Sequence, residues 1–250
     1  MSLLSVQRQG SGPTFVWLHG FTQTRDSAHL FRSILAGAHE LWTLDLPGHG
    51  SPDSLHATLD ETADLIAEVL PDEPVALGGY SLGARIALHV ALRHPRRLRE
   101  LVLIGASRGI EDVDERHARR VRDEQLADRI DVIGTEAFLD EWLAQPMFAT
   151  LANDPLERSA RSTRSAHGLA ESLRHAGTGT QEWLAPRLDS IATPTLALAG
   201  ANDAKFVAEA SAIALGVQRG TYDIIRDAGH AAHLEQPQRT ADRISYFLND

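Results

Sequence analysis

Val75-Ala76-Leu77-Gly78-Gly79-Tyr80-Ser81-Leu82-Gly83-Ala84-Arg85-Ile86-Ala87-Leu88 sets a serine between two glycines, where one hydrophobic pattern gives way to another. Upstream, residues 75–79 form a short, continuous apolar run, as a strand buried on both faces does. Downstream, residues 82–92 fit a helix, and His94-Pro95 supplies a stop. A chain that turns sharply from strand to helix crowds its backbone two residues before and after the turn, so glycine is needed at positions 79 and 83. The turn lifts the Ser81 hydroxyl clear of the sheet and sets it at a helix N-terminus, which favours developing negative charge.

Working outward, residues 14–18 and 41–46 are apolar runs of the same kind, each ending near glycine or proline. Residues 101–104, 195–199 and 222–225 repeat the strand pattern. Helical patterns lie between them, with Leu59, Thr62, Ala63, Ile66 and Leu70 on one face of residues 59–70, and a last helix through residues 239–248. This alternation predicts an α/β fold: a mostly parallel central sheet with helices on both faces. From about 107 to 187 the periodicity is helical, broken at Pro146, Pro155 and Gly177-Thr178-Gly179, with no buried strand pattern. We read that stretch as a helical lid inserted in a single domain spanning residues 1–250.

Composition bounds the chemistry. No cysteine is present, which excludes disulfides, thiolate catalysis and cysteine zinc sites. Asp and Glu number 34 against 24 Lys and Arg, a formal charge of −10 that argues against nucleic-acid binding. No apolar run reaches the roughly 20 residues needed to cross a bilayer. Met1-Ser2-Leu3-Leu4-Ser5-Val6 lacks the basic start and long apolar stretch of a signal peptide, so a cytoplasmic protein without membrane insertion is expected. Lys205 is the one lysine; the remaining cations are arginines, many of them between Arg108 and Arg174. Such an insert can capture an anionic small molecule even on an acidic protein. Oligomeric state is not legible.

Gly79-Tyr80-Ser81-Leu82-Gly83 matches G-x-S-x-G with a strand before it and a helix after it, and so resembles the nucleophile elbow of the α/β-hydrolase fold. That fold orders its triad serine, acid, histidine. Asp203, beyond the run at 195–199, and His230, beyond the run at 222–225, complete the order at carboxyl ends of parallel strands. Neutral His230 can take the Ser81 proton while ionised Asp203 fixes its tautomer. Asp227 and Asp45 are rival acids; the first lies only three residues before His230, and the second follows a strand in Leu44-Asp45-Leu46-Pro47-Gly48 and is read as organising that turn. His19-Gly20-Phe21 follows the first strand, so the backbone N–H groups of Phe21 and Leu82 are the expected oxyanion hole, with the His19 side chain shaping the turn. His233 either lines the pocket or packs in its loop.

Several segments together resemble the 2-succinyl-6-hydroxy-2,4-cyclohexadiene-1-carboxylate synthases of menaquinone biosynthesis. They include Leu18-His19-Gly20-Phe21, Asp45-Leu46-Pro47-Gly48-His49-Gly50 and the elbow through Arg85. They continue through Glu115-Arg116-His117-Ala118-Arg119, Glu141-Trp142-Leu143-Ala144-Gln145-Pro146-Met147-Phe148, Asp203-Ala204-Lys205-Phe206 and Gly229-His230-Ala231-Ala232-His233. The resemblance implies a lyase: the triad serine acts as base, pyruvate is eliminated without an acyl-enzyme, and no metal or organic cofactor takes part. Its substrate is a small polycarboxylate, which accounts for the arginines, since a guanidinium holds a carboxylate in a planar pair. Arg85 sits one turn after Ser81 among apolar neighbours and leans back toward the helix start. In the lid, Arg116, Arg119 and Arg120 can share a face while Arg122 points elsewhere. The resemblance makes substrate-binding residues of Arg119, of Arg164 (with Arg161 as the alternative), of Trp142 and of Tyr80. Phe148 reads as lid core. The other reading of the same triad is a serine esterase, thioesterase or C–C-bond hydrolase using Ser81 as nucleophile; a ligand receptor without turnover is a third.

Overall fold

The computed structural model describes residues 3–50 and 55–249, so Met1 and Ser2 of the N-terminal stretch read above lie outside it. Among the described residues seven strands form one sheet: β1 (Val6–Gln9), β2 (Thr14–Leu18), β3 (Glu40–Leu44), β4 (Val75–Tyr80), β5 (Leu98–Ile104), β6 (Thr195–Gly200) and β7 (Gly220–Ile225). Their spatial order is β1-β3-β2-β4-β5-β6-β7, with β1 antiparallel to β3 and every other pair parallel. The helices outside the lid are α1 (His29–Ala36), α2 (Leu59–Val69), α3 (Leu82–Arg93), α7 (Ala204–Gly216), α8 (Ala232–Glu235) and α9 (Pro237–Leu248). Between β5 and β6 lie α4 (Val113–Leu143), α5 (Pro155–Ser162) and α6 (Ala166–Ala176).

Alternation along the strands divides the core in two. Val16 and Leu18 of β2 join Leu77 of β4 and the inner faces of α2, α3 and α7 on one side. Phe15 and Trp17 join Phe31, Leu35 and Ile244 of α1 and α9 on the other. Both faces are therefore covered, as a parallel sheet requires. A third cluster holds the lid together, with Ala127, Ile130 and Phe138 of α4 against Leu169 and Leu173 of α6. Burying each of the larger side chains contributes about 1.5–3 kcal/mol. α4 is interrupted at Gly134, whose φ of 77° and ψ of 170° no helix accommodates, so its last turns start in a new direction.

Two elements lie apart from the sequence reading. β1 is not an apolar run: Val-Gln-Arg-Gln is polar because it is an edge strand, half open to solvent. β7 closes the other edge, and Tyr222 and Ile224 are 45% and 39% exposed. Among the described residues no helix is long and apolar enough to cross a membrane.

Candidate active site

β4 runs straight into α3 through Ser81, whose φ of 51° is a conformation that non-glycine residues rarely adopt. The flanking glycines explain how the turn is possible. A Cβ on Gly79 would meet the Gly83 backbone at 2.4 Å, and one on Gly83 would meet the Leu18 carbonyl oxygen at 2.2 Å. The Ser81 hydroxyl stands 3.3 Å from His230 Nε2, and His230 Nδ1 is 2.8 Å from Asp203 Oδ2. With Asp203 as a carboxylate, Nδ1 carries the proton and Nε2 is the acceptor, the tautomer needed to deprotonate serine. Gly105, at the end of β5 with φ +60°, leaves the space: a Cβ there would lie 3.0 Å from His230 Cε1. Asp203 is also the N-cap of α7, its Oδ1 accepting from the Phe206 N–H at 3.4 Å. Asp227 is remote from this chemistry and pairs with Arg239 at the surface. Asp45 accepts the Arg25 N–H at 2.8 Å and braces its own turn.

The N–H groups of Phe21 and Leu82 have no protein acceptor among the described residues, whereas their neighbours are engaged. Gly20 N–H donates to Gln23 Oε1 at 2.8 Å, and Thr22 N–H to His49 Nε2 at 3.2 Å. His19 has a structural part: it accepts the Leu46 N–H at Nε2 and donates from Nδ1 to the Gly20 carbonyl. Burial, with lesser contributions from Arg164 and Arg161, lowers its pKa to about 3. His49 is lowered to about 3 by burial and then by neighbouring His19. Both rings are neutral supports of the loop. His233 is fully buried against Tyr80, Trp17 and Phe31, and burial drives its pKa down well below the ordinary value.

A cavity of about 620 Å³ opens over Ser81 and is bounded by the lid. Its walls include Phe21, Tyr80, Arg85, Trp142 and Phe148. Arg119 and Arg122 of α4 both reach it, together with Asp123 and Leu126, as positions i, i+3, i+4 and i+7 of one helix face must. The expectation that Arg122 points away is therefore corrected, and Arg120 is the one that leaves the cavity wall. Arg116 instead donates to the Ile110 carbonyl at 2.8 Å. Tyr80 is 3% exposed and its phenol is held far above the ordinary range by burial. Trp142 stacks on Phe138 and meets Phe21 edge to face, and its buried indole N–H has no protein acceptor among the described residues.

Arg164 is not at the cavity. Its guanidinium donates to the His49 carbonyl at 2.9 Å and lies 3.8 Å from Asp45, bracing the loop after β3. Arg161 lines the cavity instead. The three-residue spacing on α5 decides between them: Arg161 is on the inward face and Arg164 falls just past the helix end.

Five cations border the cavity (Arg85, Arg119, Arg122, Arg161 and Lys205) against two carboxylates, Asp123 and Asp203. Asp123 pairs with Arg119 at 2.7 Å, and Glu157 pairs with Arg161 at 2.9 Å. Arg85, Arg122 and Lys205 have no ion-pair partner among the described residues. Arg85 is only 8% exposed, and its guanidinium meets only the Ala176 and Gly177 carbonyls and Gln181 Oε1. Burial, reinforced by Arg119, lowers its pKa to about 10. On an acidic protein this is a local field for anions. The sequence reading missed Lys205 and Arg122 as wall residues; the helical period on α4 was the available signal for the second. Among the described residues no group of three or more histidine and acidic side chains is arranged to hold a metal ion.

Residues 15–243 match the Alpha/beta hydrolase family. The 2-succinyl-6-hydroxy-2,4-cyclohexadiene-1-carboxylate synthase of Serratia proteamaculans (strain 568) is 32% identical over 99% of this chain and 98% of its own. That of Yersinia pseudotuberculosis serotype O:1b (strain IP 31758) is 34% identical over 98% and 90%. Among solved structures, MenH from S. aureus superposes with a TM-score of 0.91 at 30% identity, covering 100% of this chain and 98% of that one. A thermophilic esterase from Thermogutta terrifontis, solved with malate bound, gives 0.83 at 25% identity over 98% and 93%.

Proposed function

The chain belongs to the α/β-hydrolase family and, within it, to the 2-succinyl-6-hydroxy-2,4-cyclohexadiene-1-carboxylate synthases, and from that premise we propose a pyruvate-eliminating lyase. Its substrate is 2-succinyl-5-enolpyruvyl-6-hydroxy-3-cyclohexene-1-carboxylate. The observation that carries the reading is the cation excess around Ser81, with buried Arg85 in no ion pair among the described residues. An ester pocket for apolar acyl groups has no use for such charge, whereas three substrate carboxylates do.

The chemistry follows from the bonds that change. Conversion of a 3-ene into a 2,4-diene requires loss of the ring proton at C2 and of the enolpyruvyl oxygen at C5. The C2 proton is acidic because it neighbours the succinyl carbonyl. His230 takes the Ser81 proton, and the Ser81 oxygen takes the proton from C2. Charge then develops on the succinyl oxygen, where the Phe21 and Leu82 amides are available as donors. Electrons move through the former C3–C4 double bond, the C5–O bond breaks, and the departing enolate gains a proton to become pyruvate. Arg85, Arg119 and Arg161 hold carboxylates and keep C2 over Ser81.

Purified protein mixed with the enolpyruvyl substrate should release one pyruvate per conjugated diene formed, followed by reduction of the pyruvate with NADH and by diene absorbance. Mass spectrometry of enzyme quenched during turnover should show only the unmodified mass. No pyruvate release would sink the lyase reading, and an adduct on Ser81 would move the assignment to a hydrolase. Serine as base and serine as nucleophile need the same triad, so the adduct measurement separates the two readings.

A further inference from the structure

We infer that Glu157, on lid helix α5, is a positioning residue for the oxyanion hole: with Gln23 and Arg161 it holds the loop that presents the Phe21 amide. The inference rests on the assignment of that amide as an oxyanion donor. Glu157 is 7% exposed and lies 134 residues along the chain from Gln23, so only the fold brings them together. Its Oε1 accepts from Gln23 Nε2 at 3.2 Å and from Arg161 Nε at 3.0 Å. Its Oε2 accepts the Ala28 N–H at 2.7 Å, at the residue that precedes α1.

The two partners of Glu157 grip the loop on either side of Phe21. Gln23 accepts the Gly20 N–H through Oε1 and donates through Nε2 to both Glu157 and His233. Arg161 donates from Nη1 to Thr22 Oγ1 at 2.5 Å. Thr22 needs that hold, because its φ is +67° and a β-branched residue resists the left-handed region. Strained backbone of this kind persists only where the surroundings over-determine it. Here they are the Arg161 guanidinium on the hydroxyl and His49 on the N–H. With Gly20 and Thr22 both tied, Phe21 is the loop's remaining donor, and its direction is set from the lid.

The geometry also explains an apparent misuse of charge. Arg161 borders the substrate cavity, yet Glu157 neutralises it. A residue serving only to attract a carboxylate would be better left unpaired, as Arg85 is. The ion pair suits a second purpose beside carboxylate binding, because it docks α5 on the loop after β2 through Gln23 and Thr22. Unpairing Glu157 frees the loop, relaxes Thr22 and lets the Phe21 N–H swing off target.

An oxyanion donor acts on charge that exists only in the transition state, so its misplacement lowers kcat rather than raising KM. Loss of one such donor costs about 100- to 1,000-fold, and a displacement of about 1 Å costs on the order of 100-fold. For Glu157→Ala we expect kcat to fall about 100-fold with KM within about threefold of the parent. Glu157→Gln, whose single carbonyl oxygen can accept from only one of the Ala28 and Gln23 donors and which also loses the ion pair, should show a loss of the same kind. Gln23→Met leaves the Glu157–Arg161 pair intact and should give the same kcat-only loss, which keeps the idea testable if Glu157→Ala folds poorly. The second assay needs no native substrate: a neutral fluorophosphonate, whose phosphorus is attacked by Ser81 Oγ with loss of fluoride, also relies on the oxyanion hole. Its labelling rate should fall in parallel in all three variants, measured at a temperature where Gln23→Met, destabilised by the loss of its buried hydrogen bonds, remains folded. Parental labelling and kcat in folded variants, or a change confined to KM, would overturn the inference. A parent that labels readily but releases no pyruvate would overturn the lyase reading alone.

Discussion

Arg85→Met separates what the buried guanidinium does for catalysis from what it does to stability. Among the described residues the group has no ion-pair partner, it is 8% exposed, and burial lowers its pKa to about 10. At about 1.4 kcal/mol per pKa unit, that displacement sets the cost of carrying the charge in the fold at about 3 kcal/mol. The sign is that of a base whose protonated form is disfavoured on folding. The cost is fully present below pH 10, where folded and unfolded chains are both charged, and disappears only as pH rises toward the ordinary arginine range. Methionine fills similar volume without the charge. Against that gain, the Ala176 carbonyl and Gln181 Oε1 lose a donor, at about 1 kcal/mol each, while the Gly177 oxygen keeps the Thr180 hydroxyl at 2.9 Å. The balance is about +1 kcal/mol in favour of the variant, or about 2–4 °C in melting temperature for a chain of this size. Activity should move the other way. Truncating one partner of a desolvated, charge-assisted contact costs about 2–5 kcal/mol, which lowers kcat/KM by about 30- to several-thousand-fold. The assays are thermal melting and steady-state pyruvate release on the same preparations, with Arg85→Lys recovering only part of the rate because it lacks the planar fork. A variant that melts 10 °C below the parent while keeping kcat/KM within fivefold would refute the reasoning, since Arg85 would then be a structural cation.

Three further outcomes follow from the same geometry. Ser81→Ala and Ser81→Ala/His230→Ala should have similar residual rates, because each triad member works only through the others; a double variant several orders of magnitude slower would dissolve the unit. Arg161→Ala should lower kcat/KM at least 30-fold while Arg164→Ala stays within about fivefold, and Arg122→Ala, exposed at the cavity wall, should raise KM modestly with a salt dependence the parent shows more strongly; equal losses at Arg161 and Arg164 would contradict their placement. His19 and His49 are neutral in the fold with pKa values of about 3, so the unfolded chain binds protons first and stability should drop as pH falls from about 6.5 toward 3, then level. Urea midpoints across that range should show a shallower decline in His49→Asn than in the parent.

What the sequence made legible depended on whether one physical signal dominated locally. β2, β4 and β6 are covered on both faces, so continuous apolar runs announce them. β1 has no such run because an edge strand needs none. α1 begins at Ala28 in a left-handed conformation with no side-chain cap, so the usual start signal is missing. Gly134 breaks α4 without a proline or a loop-like neighbourhood to mark it. At the site, the juxtaposition of Ser81, Asp203 and His230 was readable because chain order and strand ends constrain them together. Arg161 and Arg164 were not separable, since a helix ending between them turns three residues of sequence into two different destinations. The Gln23–Glu157 contact has no sequence signal, because two ordinary polar residues acquire meaning only when the lid closes over the sheet.

Asp203 answers to two masters. One oxygen holds the His230 imidazole and the other the first turn of α7, so the carboxylate is clamped against rotation from both sides. Orientation of the imidazole is thereby tied to the seating of a whole helix, thirteen residues long, of which only Lys205 and Phe206 line the cavity. Moving the acid to another strand, as a designer remodelling this scaffold would wish to do, would leave α7 without its cap. The replacement would have to mend a helix as well as a triad.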